Sequence, residues 1–268
     1  MTLVWASSFS TQVSDPDAQA YIEAVETQDA QPLEVGVAHA INTFVLGCKA
    51  DGIWDAIKAS CIMAGARTLS GALIPLKGTA PTNYNFVAAD YNRETGLVGD
   101  GSTKYLDSNR LDNADPQNDS HRSVYVHTPG TQAQDAYIGV VYTSPTRQSY
   151  IMRGTDLGGR MIVTERGGSS GGQVDVAGQQ NASGFIGQSR ASVSSHSARV
   201  SQNTYSLTST STSVLPANSL VFARRFNSSV SARTNGRLSF YSIGESLDLA
   251  LLDNRVSTLM TDIGAAIP

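Results

Sequence analysis

Residues 122–128 (RSVYVHT), 137–144 (YIGVVYTS), 149–154 (SYIMRG) and 159–166 (GRMIVTER) decide the fold. Each is a short apolar or alternating run of the length of a β-strand, rich in β-branched and aromatic residues. Gly, Pro, Asn, Asp and Ser punctuate the gaps between them. The same texture extends outward to 72–76 (ALIPL), 83–91 (NYNFVAADY) and 103–108 (TKYLDS) on one side. On the other it runs through 183–190 (SGFIGQSR), 198–203 (ARVSQN), 220–226 (LVFARRF) and 237–244 (RLSFYSIG). Strand–helix–strand alternation is missing, so the pattern predicts an antiparallel sandwich or jelly roll rather than a parallel sheet.

Helical periodicity occupies the two ends. Asp15-Pro16-Asp17 has an acidic cap, a first-turn proline and an acid at the positive end of the dipole. Ala18, Tyr21, Ile22 and Val25 follow at helical spacing. Gln31-Pro32 opens a second stripe of Leu33, Val37, Ile41, Phe44, Val45 and Cys48, which stops near Asp51-Gly52. A third helix is predicted from Ile53, Trp54, Ile57, Cys61 and Ile62, with Gly65 as its stop. Leu252, Val256, Leu259 and Ile263 form a closing helix with Asp248 as its cap. The expected fold class is mainly β, a sandwich preceded by a small α-helical segment and closed by a C-terminal helix. The division is a helical anchoring or oligomerisation segment at 1–68 and a β domain at 69–268.

The chain has 268 residues, of which 40% are hydrophobic and 16% charged, with a net charge of −4. Without a basic run there is no field to neutralise phosphates, which argues against a nucleic-acid partner. No apolar stretch reaches the length of a membrane span, and the N-terminus lacks the pattern of a signal peptide. Synthesis in a cytoplasm is the expectation. Cys48 and Cys61 are read as two buried thiols, with a bridge between them as the alternative.

Candidate chemistry is sparse. Gly167–Gly171 (GGSSG) satisfies G-x-S-x-G, but it lies between two strands rather than on a strand-to-helix elbow. His39, His121, His127 and His196 have no metal-ligand spacing; His121 and His127 flank a strand and are expected to face solvent. The strand carboxylates Asp90, Asp107, Glu165 and Asp175 are scattered and lack the same-face spacing that glycoside hydrolysis uses. Asp112, Asn113, Asp115, Asn118 and Asp119 crowd the loop 111–120 (LDNADPQNDS), where Asx turns or a calcium ion both fit the oxygen-rich composition. The ten tyrosines offer apolar faces with polar handles, suited to stacking on sugars or to core packing. On this basis no catalytic, cofactor or metal residue is assigned, no ligand residue is named, and the expectation is a protein without enzymatic activity.

Residues 96–110 (GLVGDGSTKYLDSNR), followed by 123–128 (SVYVHT), resemble the early strands of concanavalin A-like (laminin G-like) jelly rolls. Residues 236–260 (GRLSFYSIGESLDLALLDNRVSTLM) are similar to that superfamily's closing strand and short helix. Residues 15–26 (DPDAQAYIEAVE) and 41–86 resemble N-terminal segments attached to such jelly rolls in bacteriophage virion and tail-associated proteins. The resemblance implies a virion structural protein, tail fibre or baseplate associated, with a lectin-like domain for adhesion to a host-surface glycan. Its implied partners are other virion proteins reached through the N-terminal helices, in a homo-oligomer with a trimer favoured, assembled in the host cytoplasm. A capsid-decorating or tail-packing protein is the alternative, and a glycan depolymerase on the same scaffold a third.

Overall fold

The computed structural model describes residues 13–154, 159–168, 173–174 and 178–268, with only the backbone at 173–174. Two sheets pack face to face. The first runs β14 (Asn203–Thr208), β13 (Ser195–Val200), β12 (Gly184–Arg190), β7 (Ser120–Thr128), β18 (Arg237–Gly244), β1 (Ile57–Ile62) and β2 (Pro75–Lys77). Beside β18 lies β5 (Gly96–Val98), which pairs in turn with β4 (Tyr91–Asn92). The second sheet runs β11 (Gln173–Val174), β10 (Arg160–Gly167), β9 (Thr146–Gly154), β8 (Gln134–Thr143), β15 (Asn218–Val221), β6 (Tyr105–Leu111) and β3 (Thr82–Tyr84). A small hairpin of β16 (Arg224–Phe226) and β17 (Ser229–Ser231) joins it alongside β8. Among the described residues the named strands pair antiparallel except β16 with β8, and the mainly β sandwich expected from the sequence is the observed architecture.

Among the described residues four α-helices decorate it: α1 (Pro16–Asp29), α2 (Val35–Ala50), the single turn α3 (Leu69–Ala72) and α4 (Leu249–Ala266). The cap of α1 is Asp15, whose carboxylate accepts from the amides of Asp17 and Ala18 at 2.9 and 3.2 Å. Asp248 caps α4 by accepting from Ala250 and Leu251. Both caps fill donors that the first helical turn leaves open. The apolar stripes of α1, α2 and α4 lie on the outer face of the first sheet, in one core with Phe185, Phe240, Ile57 and Ile62. Phe44 meets Phe240 edge-on, with ring centroids 5.9 Å apart. Three ion pairs tie the layer down: Lys49–Asp15, Arg255–Asp51 and Arg199–Asp253, each at 2.7 Å. Gly47 lets Arg255 cross α2 closely, since a Cβ there would lie 2.7 Å from Nε.

One predicted element is corrected. The third helix over Ile53–Ile62 is instead a turn followed by strand β1, which pairs with β18 in the middle of the first sheet. Cys61 therefore sits on a strand. The reason is double burial: Ile57 and Ile62 face the helices, while Ala59 and Cys61 face the second sheet. A bulge between Ile57 and Ala59 shifts the alternation further. With apolar residues on both faces, the period of two disappears and the spacing mimics a helix. The single turn at Leu69–Ala72 likewise precedes β2 where a continuous strand was expected to begin.

Between the sheets lies a second core of Leu97, Leu106, Val124, Val126, Tyr137, Ile138, Ile151, Val163, Val221, Phe222 and Tyr241. Both cysteines are free and buried; burial pushes the Cys48 thiol up to about 12. No helix among the described residues is long and apolar enough to cross a membrane. Helices cover the outer face of the first sheet, and on the second sheet Phe226 and Ala232 pack over Ala136, Val141, Tyr150, Met152 and Ile162, which leaves the β3–β6 edge and the loop ends more open. Phe240 joins helices to sheet at zero exposure, so Phe240→Ala is expected to cost about 3–5 kcal/mol. Urea denaturation should show it as a lower midpoint; an unchanged midpoint would contradict this packing.

Candidate functional site: a tyrosine platform on the outer sheet

Inside one end of the sandwich a charged cluster bridges the sheets. Arg122 on β7 donates from Nη2 to Asp112 Oδ1 at 2.7 Å, and its Nη1 lies 3.3 Å from Glu165 Oε2. Glu165, on β10, also accepts from Ser120 Oγ at 2.9 Å and Gln188 Nε2 at 2.6 Å. Arg166 donates to the carbonyls of Asp112 and Pro116. Arg190 donates to the carbonyls of Glu165, Ser192, Ser195 and Ser209. Exposure is 2% or less for all five charged residues. Asp112 and Glu165 thus approach each other across Arg122, but sealed from solvent, and their lone pairs are spent on holding the sheets together.

The accessible arrangement lies elsewhere. Edge strand β3 pairs with β6 in the register Thr82↔Asp107, Asn83↔Leu106 and Tyr84↔Tyr105. Leu106 is buried in the core between the sheets. Side chains alternate along a strand, which puts Tyr105 and Asp107 on the same side as Tyr84 and Thr82; Tyr105 is partly buried against the edge of the inter-sheet core, and Asp107 is buried. The Tyr84 and Tyr105 rings stack with centroids 4.4 Å apart and planes within 8°. Tyr84 keeps 40% of its surface exposed. Partial burial, with the neighbouring Tyr84, raises the Tyr105 hydroxyl above its ordinary range, so it stays protonated and both donates and accepts.

Guanidinium groups border the rings. Arg233 lies 5.6 Å from the Tyr105 centroid, a cation–π distance. Arg225 donates from Nη2 to Asp107 Oδ2 at 2.9 Å and from Nε to the Asn218 carbonyl at 3.2 Å. Further along, Arg224 lies over Tyr150 and Phe226, each at 5.4 Å. The result is one exposed aromatic ring, Tyr84, backed by Tyr105 and with oriented polar groups nearby. The outer face of such a ring can stack on the apolar face of a pyranose while polar groups beside it hydrogen-bond the hydroxyls. A smaller concavity of about 290 Å³ beside α4 is lined by Tyr125, Phe185, Gln202, Asp253, Ser257 and Thr261. Its carboxylate, Asp253, is already engaged by Arg199 and Ser257.

The sequence-predicted residues are dispersed by the fold. His39 and His127 are exposed, as expected for positions outside the core. His121 is corrected: it is fully buried, donating from Nδ1 to the Glu245 carbonyl at 2.5 Å and accepting at Nε2 from Ser242. His196 is also buried, donating from Nε2 to the Val163 carbonyl and accepting at Nδ1 from Arg190 and Ser209. Asp90 pairs with Lys104, and Asp107 with Arg225 at the platform. Asp175 and residues 169–171 of the G-x-S-x-G string lie outside the described residues.

In the 111–120 loop, Asp112 turns inward to Arg122, Asp115 pairs with Arg110, and Asp119 accepts from Ser246. These acids diverge onto separate partners, and no metal-holding group of His, Cys, Asp or Glu occurs among the described residues. Tyr84 and Tyr105 had a sequence signal, the aromatic residues within 83–91 and 103–108. Arg225 and Arg233 had none, because their partners come from strands more than a hundred positions away.

No protein-family model matches the chain, and no curated protein matches it in sequence. Solved structures similar to it include a mutant Trypanosoma rangeli sialidase displaying trans-sialidase activity, at 10% identity and TM-score 0.44, covering 85% of this chain and 40% of that one. The enzymatically active domain of tailspike protein 2 from bacteriophage CBA120 is similar at 13% identity and TM-score 0.40, over 67% of this chain and 30% of that one. A leech intramolecular trans-sialidase follows at 7% identity and TM-score 0.39, over 54% and 24%. The chain spans less than half the length of each. Most of these neighbours are enzymes, which overturns the expectation of a protein without enzymatic activity. At such scores they assign this chain neither a site nor a mechanism.

The buried histidines set a pH dependence. Burial holds both His121 and His196 down at about 4, against an ordinary value of 6.5. Between those limits the unfolded chain binds protons that the native one refuses, so stability falls as pH drops from 6.5 towards 4. The slope is up to about 1.4 kcal/mol per pH unit for each histidine. Urea midpoints at pH 7.5, 5.5 and 4.5 should descend in that order, and His196→Gln should flatten the descent. Equal midpoints for the unaltered protein would contradict the assignment.

Proposed function

We propose that this chain is a glycan-binding component of a phage tail, holding a saccharide chain on the Tyr84–Tyr105 platform. The carrying observation is the stacked Tyr84–Tyr105 pair, with Tyr84 40% exposed, beside the hydrogen-bonded Arg225–Asp107 pair. The helical layer lies on the opposite side of the molecule from the platform, which suits attachment to a neighbouring virion protein or to further copies of this chain. Val35 and Leu46 on α2 are exposed at 65% and 42%, supporting such a contact. The placement in a particle rests on the resemblance of residues 15–26 and 41–86 to virion proteins. In this reading the helices α1 and α2 serve attachment and the sandwich serves recognition.

Affinity electrophoresis through gels containing bacterial surface polysaccharides tests the reading, with reducing-end release followed in the same samples to detect cleavage. Retardation by at least one polymer is expected. Tyr84→Ala should weaken it about tenfold, the worth of roughly 1.4 kcal/mol of stacking. The cross-strand stacked pair contributes about 1 kcal/mol or less to folding, so the melting temperature should move little. Full retention of affinity by Tyr84→Ala would refute the platform.

A further inference from the structure

We infer that β14 is the interface through which two copies of this chain join, edge to edge, about a two-fold axis at Ser206; this does not depend on the glycan reading. Among the described residues β14 ends the first sheet and pairs only with β13. The two-residue turn between them, Ser201–Gln202, has positive φ at both positions, 49° and 63°, as a type I′ hairpin requires. Such a turn makes its flanking residues, Val200 and Asn203, a hydrogen-bonded pair. The bonds then alternate, so Asn203, Tyr205 and Leu207 spend their backbone groups on β13. The Ser209 amide continues the series, donating to the Ser194 carbonyl at 2.9 Å. Thr204, Ser206 and Thr208 therefore turn their N–H and C=O groups away from β13. Among the described residues no hydrogen bond uses those groups, and β11 lies beside β14 without pairing to it.

Edges this open are normally guarded by charge, proline or a bulge. At the other end of the same sheet β2 has three residues and carries Pro75 and Lys77. β14 has six, Asn203–Thr208 (NTYSLT), without charge, proline or glycine. Its sequence is also chemically symmetric about Ser206. Antiparallel pairing with a second copy sets Ser206 on Ser206, Thr204 on Thr208 and, on the opposite face, Tyr205 on Leu207. The first two pairings exchange the unspent backbone groups. The side chains meet hydroxyl to hydroxyl and aromatic to aliphatic, both favourable across strands. Tyr205 and Leu207 pack on the core between the sheets yet stay partly exposed, and the second strand completes their cover. Thr204, Ser206 and Thr208 are exposed on the outer face, so α4 does not overhang the strand. An isologous contact of this kind closes at two copies. The platform strand β3 lies at the opposite end of its sheet from β11, the strand that neighbours β14, so both platforms of the dimer stay free.

One added strand buries little compared with the roughly 1,200–2,000 Å² of a stable complex, so a dissociation constant of about 10–100 µM is expected. Sedimentation velocity of the full chain from about 2 to 500 µM should pass from monomer to dimer. Over the same range, amide exchange read by NMR should slow at Thr204, Ser206 and Thr208, while Asn203, Tyr205 and Leu207 stay protected throughout. Ser206→Pro removes an outward donor that β13 does not use, and Ser206→Lys sets like charges together at the axis. Each should weaken dimerisation at least tenfold, with the melting temperature of the dilute monomer nearly unchanged. Leu46→Glu, on the exposed side of α2, should leave the dimer intact. A monomer at every concentration, or a trimer in place of the dimer, overturns the interface. So does a dimer that survives both Ser206 variants or is lost with Leu46→Glu.

Discussion

Arg122 is the hinge pin of the molecule. Its guanidinium sits between Asp112 and Glu165, one carboxylate from the loop after β6 and one from β10, while its own strand belongs to the first sheet. Charges this deep are expensive to desolvate, and removing one partner strands the others at a cost of about 3–5 kcal/mol. The cluster draws the loop 111–120 inward through Asp112, whose second oxygen also accepts from the Leu215 amide. Arg190 extends it to Ser209 and His196 at the far end of the first sheet. The relative placement of the two sheets at this end is therefore specified by directional polar contacts rather than by apolar packing alone.

That constraint divides the surfaces. With the sheets locked face to face, α1, α2 and α4 cover one outer side, and the β16–β17 segment covers part of the other, which leaves its β3–β6 edge for recognition. On it the β3–β6 register places two tyrosines directly opposite each other, and the hairpin β16–β17 swings arginines to their margin. A one-residue slip of β3 would turn Tyr84 to the other side of the strand and destroy the stacked pair. The rigidity of the interior and the geometry of the platform are thus linked through strand register.

The sequence made the architecture readable where one chemical rule dominated. Asp15 and Asp248 announced their helices because capping needs a carboxylate at one position, and strands β7 to β10 announced themselves by apolar runs between turn residues. Strand β1 was illegible because both its faces are buried, so Ile57, Cys61 and Ile62 lost the alternation that marks a strand. The interior charge cluster was illegible for another reason. Arg122, Glu165 and Arg190 are separated along the chain, and a charged residue in a strand ordinarily marks the solvent side. The same distance hid the pairing of Arg225 with Asp107, although the tyrosines beside them stood in plain view.

The central claim is that the outer face of the second sheet, and not the helical side, meets the saccharide. Hydrogen exchange of the full chain with and without a saturating bound polysaccharide addresses this directly. The account predicts added protection confined to residues 82–84, 105–107 and 224–233, with the helices α1, α2 and α4 unchanged. Protection on the helices, or at Tyr125 and Asp253 beside α4 with the platform unchanged, would contradict it.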